Sequence, residues 1–244
     1  MKTLKSLLGL IALLTVASCA KTVTETEGCV HFAICTDQVL ADITRSNVSD
    51  YTSLPDAADF VLTITDAEGS VFWNGTVSEW DPATRIKAGE YSVRAVYGDI
   101  EDEGFDKPCF EGVQTFTVKG KETTQVEISA SLANTLIMVN CTDRLKNYYK
   151  DYTFSLERNN TRIVSFAKGE SRAAFVDGYK ITVTGVLISE TGAEKTFSQE
   201  YSGLSSATAY NMLFDVSGTG SSAITITFNN TVGTIDLGDV ELND

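Results

Sequence analysis

Asp59-Phe60-Val61-Leu62-Thr63-Ile64 sets Phe60, Leu62 and Ile64 at every second position. That period of two belongs to a half-buried β-strand, whose successive side chains point to opposite faces, and not to a helix. Ninety-two residues later Asp151-Tyr152-Thr153-Phe154-Ser155-Leu156 repeats the pattern, with an aromatic again opening the inward face. Past residue 28 the chain consists of such runs, rich in Val, Ile, Thr, Tyr and Phe and separated by Gly, Asn and Asp. The expected class is therefore all-β.

Two further echoes suggest duplication. Gly89 precedes Tyr91, Val93 and Ala95, and Gly178 precedes Tyr179, Ile181 and Val183. Each glycine is expected to take the positive φ of a tight turn, with the aromatic opening the strand. Phe116-Thr117-Val118-Lys119-Gly120, then Val126 and Ile128, returns at an offset of 98 as Phe214-Asp215-Val216-Ser217-Gly218, then Ile224 and Ile226. Both copies read as hairpins. Three echoes in one order predict two tandem β-sandwich domains of about 100 residues, 29–133 and 134–244, meeting at Leu132-Ala133-Asn134. One helix is expected at Asp143–Lys150, where Leu145, Tyr148 and Tyr149 have helical spacing behind a Thr142 or Asp143 cap. The polar stretch Thr36 to Ala58 reads as a long loop of the functional or disordered kind.

The composition is globular: 244 residues, 43% hydrophobic and 21% charged. Acids outnumber bases 33 to 19. If Lys2 and Lys5 are removed with a leader, the balance becomes 17 − 33 = −16. Such a surface repels phosphate backbones, so nucleic-acid binding is not expected. The single histidine, His31, leaves little room for imidazole-based catalysis or zinc binding and reads as a structural or surface residue. No G-x-S-x-G, H-E-x-x-H or P-loop occurs, and no C-x-x-C spacing. The chain is expected to be no enzyme and to need no cofactor.

At the N-terminus, two lysines precede the ten-residue apolar run Leu7–Val16, too short to cross a bilayer. Val16-Ala17-Ser18-Cys19 follows. This resembles the lipobox of bacterial lipoproteins, which implies a signal peptide over 1–18, a lipidated Cys19 and a tether over 19–28. The acyl chains would then be the membrane partner, holding the chain at the outer membrane. Surface-displayed lipoproteins of the Bacteroidetes often carry an acidic cluster directly after that cysteine. Here only Glu25 and Glu27 follow, so surface and periplasmic faces both stay open. Cys29, Cys35, Cys109 and Cys141 would lie in an oxidising compartment. Cys29 and Cys35 cannot bridge each other along one strand, because six residues at ~3.3 Å span nearly 20 Å.

Together with that lipobox, the Asp59-Phe60 strand, Ala88-Gly89-Glu90-Tyr91-Ser92-Val93, Pro108-Cys109-Phe110-Glu111-Gly112 and the Leu132-Ala133-Asn134 junction resemble a family of Bacteroidetes lipoproteins of unknown function, fimbrillin-like in style. The resemblance covers most of the mature chain. It implies two immunoglobulin-like or transthyretin-like sandwiches on a lipid anchor and contributes no active site.

Several residues are candidates for sites. Trp73, Trp80 and Tyr97 are candidates for a ligand-stacking platform for sugar rings. Phe72 and Trp73 are neighbours, so in a strand one of them must face outward. Asp99, Glu101, Asp102, Glu103 and Asp106 crowd five carboxylates into eight residues. Asp99, Glu101 and Glu103, with Gly104, resemble positions one, three, five and six of a calcium loop, but Phe110 stands where a bidentate Glu is expected. Solvated loop charge is the better reading, and no metal is expected.

Two functional classes follow. One is a cell-envelope structural or adhesive protein, fimbria-associated, that joins a protein partner by strand addition. The alternative is a glycan-binding accessory lipoprotein. Arg45, the only basic residue between Lys21 and Arg85, is a candidate processing site, since fimbrillin-type proteins are cut after a basic residue in such a loop. Cleavage would open a groove, and Thr234–Val240 would be the donor strand to fill a neighbour's.

Overall fold

Phe60, Leu62 and Ile64 are fully buried, as are Phe154 and Leu156 of the second copy, with Tyr152 nearly so. The computed structural model describes residues 26–40, 46–217, 223–230 and 233–242. Cys19 and Arg45 therefore lie outside the described residues. The chain is all-β. In order it forms β1 (Glu27–Thr36), β2 (Val61–Asp66), β3 (Val71–Thr76), β4 (Ile86–Lys87), β5 (Gly89–Tyr97), β6 (Gly104–Phe105), β7 (Phe110–Val118) and β8 (Thr123–Leu132). There follow β9 (Thr135–Cys141), helix α1 (Asp143–Tyr148), β10 (Tyr149–Arg158), β11 (Thr161–Ala167), β12 (Ala174–Val176), β13 (Lys180–Ser189), β14 (Glu194–Ser202), β15 (Ala209–Val216), β16 (Ala223–Asn230) and β17 (Gly233–Glu241).

The first eight strands, without β6, form one sheet in the order β3-β2-β5-β7-β8-β1-β4. It folds over at the β7–β8 corner, where only Phe110↔Leu132 and Glu111↔Ser131 pair. Gly112 permits that corner, since a Cβ there would stand 2.4 Å from the Ser129 carbonyl oxygen. Beyond it β8 pairs instead with β1, in parallel, over eight rungs. The two layers enclose a core in which Phe32 of β1 meets Phe116 of β7 edge-on, centroids 5.7 Å apart.

The C-terminal half repeats this plan. β11-β10-β13-β14 matches β3-β2-β5-β7, and β15-β9-β12 matches β8-β1-β4 down to the parallel β9–β15 and antiparallel β9–β12 pairs. β16 and β17 extend this second layer, and β6, from the first half, closes its other edge. A separate core forms around Phe154 and Phe214, whose rings stack at 3.9 Å.

This topology corrects the offset-98 echo. Phe116 lies in β7, which matches β14, whereas Phe214 lies in β15, which matches β8. Phe-x-Val-x-Gly followed by alternation describes any hairpin, so the repeat paired two strands that are not equivalent. The glycine echo also changes. Neither Gly89 nor Gly178 takes a positive φ. Gly178 is instead hemmed in by the Leu204 carbonyl oxygen and Thr135 Oγ1, each 2.4 Å from a would-be Cβ. Tyr179 is 78% exposed, and the inward face of β13 begins at Ile181.

Helix α1 forms where expected. Thr142 Oγ1 accepts from Leu145 N, and Leu145 is buried. It stops at Tyr148 because Tyr149 already belongs to β10. The loop after β1 is partly pinned by a Val39↔Asn47 bridge and by buried Leu40 and Val48. The expected donor Thr234–Val240 is not a free segment: β17 is antiparallel to β16 from Gly233 to Glu241.

Candidate functional site

The acidic run is the element that joins the halves. Asp99 Oδ1 accepts from Glu101 N, closing a short turn, and Gly104 takes a φ of 138°. The chain then lays Gly104 and Phe105 against Phe175 and Ala174, adding β6 to the second half's sheet. Immediately before that strand, Glu103 clamps Arg158: Oε2 takes Nε at 3.0 Å and Oε1 takes Nη2 at 2.7 Å. Glu103 Oε1 also accepts from Asp177 N at 2.7 Å. Arg158 donates further to the carbonyls of Lys180 and Asp177. The Glu103 side chain is only 9% exposed, so this is a desolvated, bidentate pair with its remaining polar groups satisfied. The carboxylate raises the Arg158 guanidinium above its ordinary pKa. Phe105 completes the joint, edge-on to Phe166 at 5.3 Å, with the Arg172 guanidinium 4.2 Å above its ring.

That placement removes Glu103 from the calcium-loop candidates Asp99, Glu101 and Glu103, because its oxygens are committed to Arg158 and Asp177. Among the described residues no group of three or more His, Cys, Asp or Glu is placed to hold a metal ion. Asp102 pairs with Lys107 at 2.7 Å.

The stacking candidates are not gathered into one platform. Trp80 is 7% exposed and donates its indole N–H to the Val30 carbonyl at 3.1 Å, so it is a core residue. Trp73 stands edge-on to it at 5.0 Å. Tyr97 packs on Phe60 instead, beside the acidic loop. A β-bulge at Phe72 sets the exposed ring of that residue against Tyr91, centroids 6.2 Å apart. Successive ring contacts run Phe72, Tyr91, Phe116, Phe32, Trp80 and Trp73, an open chain of six aromatics in the first half. His31 is exposed.

All four described cysteines are unbridged. Burial pushes the Cys109 thiol up to about 11, and Cys141, which hydrogen-bonds Tyr152, likewise to about 11. Such thiols are poor nucleophiles. Cys35 is exposed and donates to Glu127 Oε1 at 3.0 Å, which raises its pKa.

A model for a domain of unknown function, DUF4493, matches residues 26–244. The chain belongs to that family. No curated protein matches this DUF4493 chain. The solved structures to which it is similar include three from Bacteroides and Porphyromonas species. One, from Bacteroides thetaiotaomicron and provisionally described as polysaccharide-binding, is 11% identical, with a TM-score of 0.48 over 86% of this chain and 98% of that one. A provisionally described cell adhesion protein from Bacteroides ovatus is 12% identical, with a TM-score of 0.47 over 88% and 97%. The fimbrial anchor protein Mfa2 of Porphyromonas gingivalis is 10% identical, with a TM-score of 0.40 over 86% and 99%.

Several cavities of the DUF4493 chain are open to solvent. One, about 390 Å³, is lined by Ala67, Glu90, Tyr91, Thr115, Phe116 and Thr117. Another, about 200 Å³, holds Cys141, Lys146 and Tyr152. Sequence reasoning missed the Glu103–Arg158 clamp and the Tyr91 cleft. The first carries no sequence signal, since its partners are 55 residues apart. The second carries none either, since Ala67, Glu90-Tyr91 and Thr115–Thr117 come from three separate segments.

Proposed function

We propose that this chain is a structural or adhesive protein of the bacterial cell envelope, fimbria-associated, anchored through a lipid on Cys19 and acting through protein contact without catalysis. On this reading residues 1–18 are a signal peptide, 19–28 a tether, and 29–133 and 134–244 two sandwich domains. The observation that supports it is the joint between the halves: β6 of the first half pairs with β12 of the second, and Glu103 pairs with Arg158 beside it. A rigid spacer or adhesin needs such a joint, whereas no described cavity gathers the buried, convergent polar groups that small-molecule chemistry uses. The outer membrane is the proposed location and nucleic acid is not a proposed partner.

The test has two parts. Metabolic labelling with a fatty acid should mark the wild-type chain and not Cys19→Ala, which should leave the membrane fraction. Deleting the gene should reduce cell adhesion or fimbrial assembly, with rescue by the lipidated chain. Unchanged labelling in Cys19→Ala overturns the anchor, and unaltered adhesion and fimbriae in the deletion overturn the role. Intact-mass analysis of the native protein separates an uncut chain beginning at Cys19 from one processed after Arg45.

A further inference from the structure

The segment from Ser46 to Thr84 contains seven acids, Asp50, Asp56, Asp59, Asp66, Glu68, Glu79 and Asp81, and no Lys or Arg. Within it lies β3, which pairs with β2 on one side and, among the described residues, with no strand on the other. An open edge is a template of unpaired N–H and C=O groups, and proteins commonly blunt such edges with Lys, Pro or inward-pointing charge. Val71–Thr76 has none of these residues. Its one irregularity is the bulge at Phe72, and Trp73–Thr76 beyond it pair in regular register with Ile64–Val61. Val71 is 61% exposed and Phe72 43%. Asp66 and Glu68 stand close enough to Tyr91 to raise its hydroxyl, after the larger effect of burial. Glu79, at the other end of the strand, accepts from Thr76 N at 2.8 Å.

We infer that the outer edge of β3 is a strand-addition site for a basic, extended segment of a partner protein, with the exposed ring of Phe72, edge-on to Tyr91, packing against one of its apolar side chains. The inference rests on the proposed role in protein contact and names where that contact is made. The carboxylates select the partner's charge. A second copy of this acidic chain would bring Asp66, Glu68 and Glu79 against their own kind, whereas lysines or arginines flanking an apolar strand would meet them favourably. Backbone pairing along Trp73–Gly75, short of Thr76 whose N–H Glu79 already takes, supplies affinity with little sequence demand, and the Phe72 ring supplies selectivity.

The experiment uses the full chain purified in mild detergent and a nine-residue probe of alternating valine and threonine with two lysines at each end, read by fluorescence anisotropy. Micromolar binding is expected, weakening at least tenfold for Phe72→Ala and severalfold for Glu68→Lys or in 0.5 M salt. Neither change touches a fully buried side chain, and circular dichroism verifies the fold. A probe with glutamates in place of lysines, and one with N-methylated backbone nitrogens, should each bind at least tenfold more weakly. Equal binding of either control overturns the inference, as does no binding of the lysine probe at 1 mM. Self-association of the chain abolished by Phe72→Ala would make the occupant a second copy, and glycan-array binding abolished by the same change would make the surface around Phe72 a sugar site; both overturn it. Loss of adhesion on gene deletion alongside a negative peptide result leaves the proposed function standing without this site.

Discussion

The ring of Phe197 lies on the backbone of Gly185, its cross-strand neighbour between β14 and β13, so closely that a methyl group at Gly185 would stand 2.0 Å from Phe197 Cε1. Phe197 is buried and lies about 6 Å from both Phe154 and Phe214. The absent side chain of a glycine in mid-strand is thus filled by an aromatic from the next strand.

Gly185→Ala should therefore destabilise by about 1–3 kcal/mol through overpacking. In a Phe197→Ala background, which itself costs about 3–5 kcal/mol, the same change should cost almost nothing. Urea midpoints for the four proteins of this cycle check it. Additive losses would mean that the two residues do not share the space.

Glu103→Ala removes one member of a desolvated pair and leaves Arg158 with only the carbonyls of Lys180 and Asp177. Breaking a fully buried pair costs about 3–5 kcal/mol, and because Arg158 is 25% exposed and keeps its carbonyl bonds the loss should fall below that range. Because the pair spans the joint, calorimetry should show the single transition of the wild type splitting into two. A small uniform shift in Tm would show that β6 alone couples the halves.

Acid should weaken the anchorage of α1. Asp215 takes Arg144 Nε and Nη2 at 2.9 and 2.6 Å as well as the Thr142 hydroxyl, and the Arg144 guanidinium chiefly holds its carboxyl below the ordinary range. Glu170, bonded by Arg172, is pushed down to about 2. A depressed carboxyl contributes stability that is complete above its unfolded value, about 4, and lost as pH falls through its folded value. The urea midpoint should hold from pH 7 to 5 and fall by pH 3, with a shallower fall in Asp215→Asn. An identical acid profile in that variant would remove Asp215 from the account.

Alkylation at pH 8, mapped by peptide mass, should modify Cys35 well before Cys109 and Cys141, whose thiols burial holds at about 11. In urea all three should react alike. Early labelling of Cys109 would mean that the strand end near Asn134 opens in the native state.

The strands were legible because alternation is local. Phe60, Leu62 and Ile64 announce a buried face within six residues, and Thr142 announces a helix start three residues before the Leu145 amide it caps. The equivalence of strands was not legible. β7 and β15 share a local pattern, yet β7 matches β14, because neighbours in a sheet are chosen by chain crossovers that leave no mark on the period of two. Trp80 read as a stacking candidate for the same reason: one residue's pattern does not say whether a carbonyl such as that of Val30, fifty residues earlier, awaits its indole.

By itself the sequence determined an all-β chain in two similar halves with an acidic surface, since each of these follows from composition or from contacts within about ten residues. The tertiary structure decided that Glu103 commits its carboxylate oxygens to Arg158 and Asp177, that Trp73 and Trp80 end a run of aromatic contacts, and that Val71 and Phe72 stay exposed on an open edge. Each of those outcomes depends on which distant segment reaches the residue first, and the energy of a buried charge or ring is set by that neighbour and not by its place in the chain.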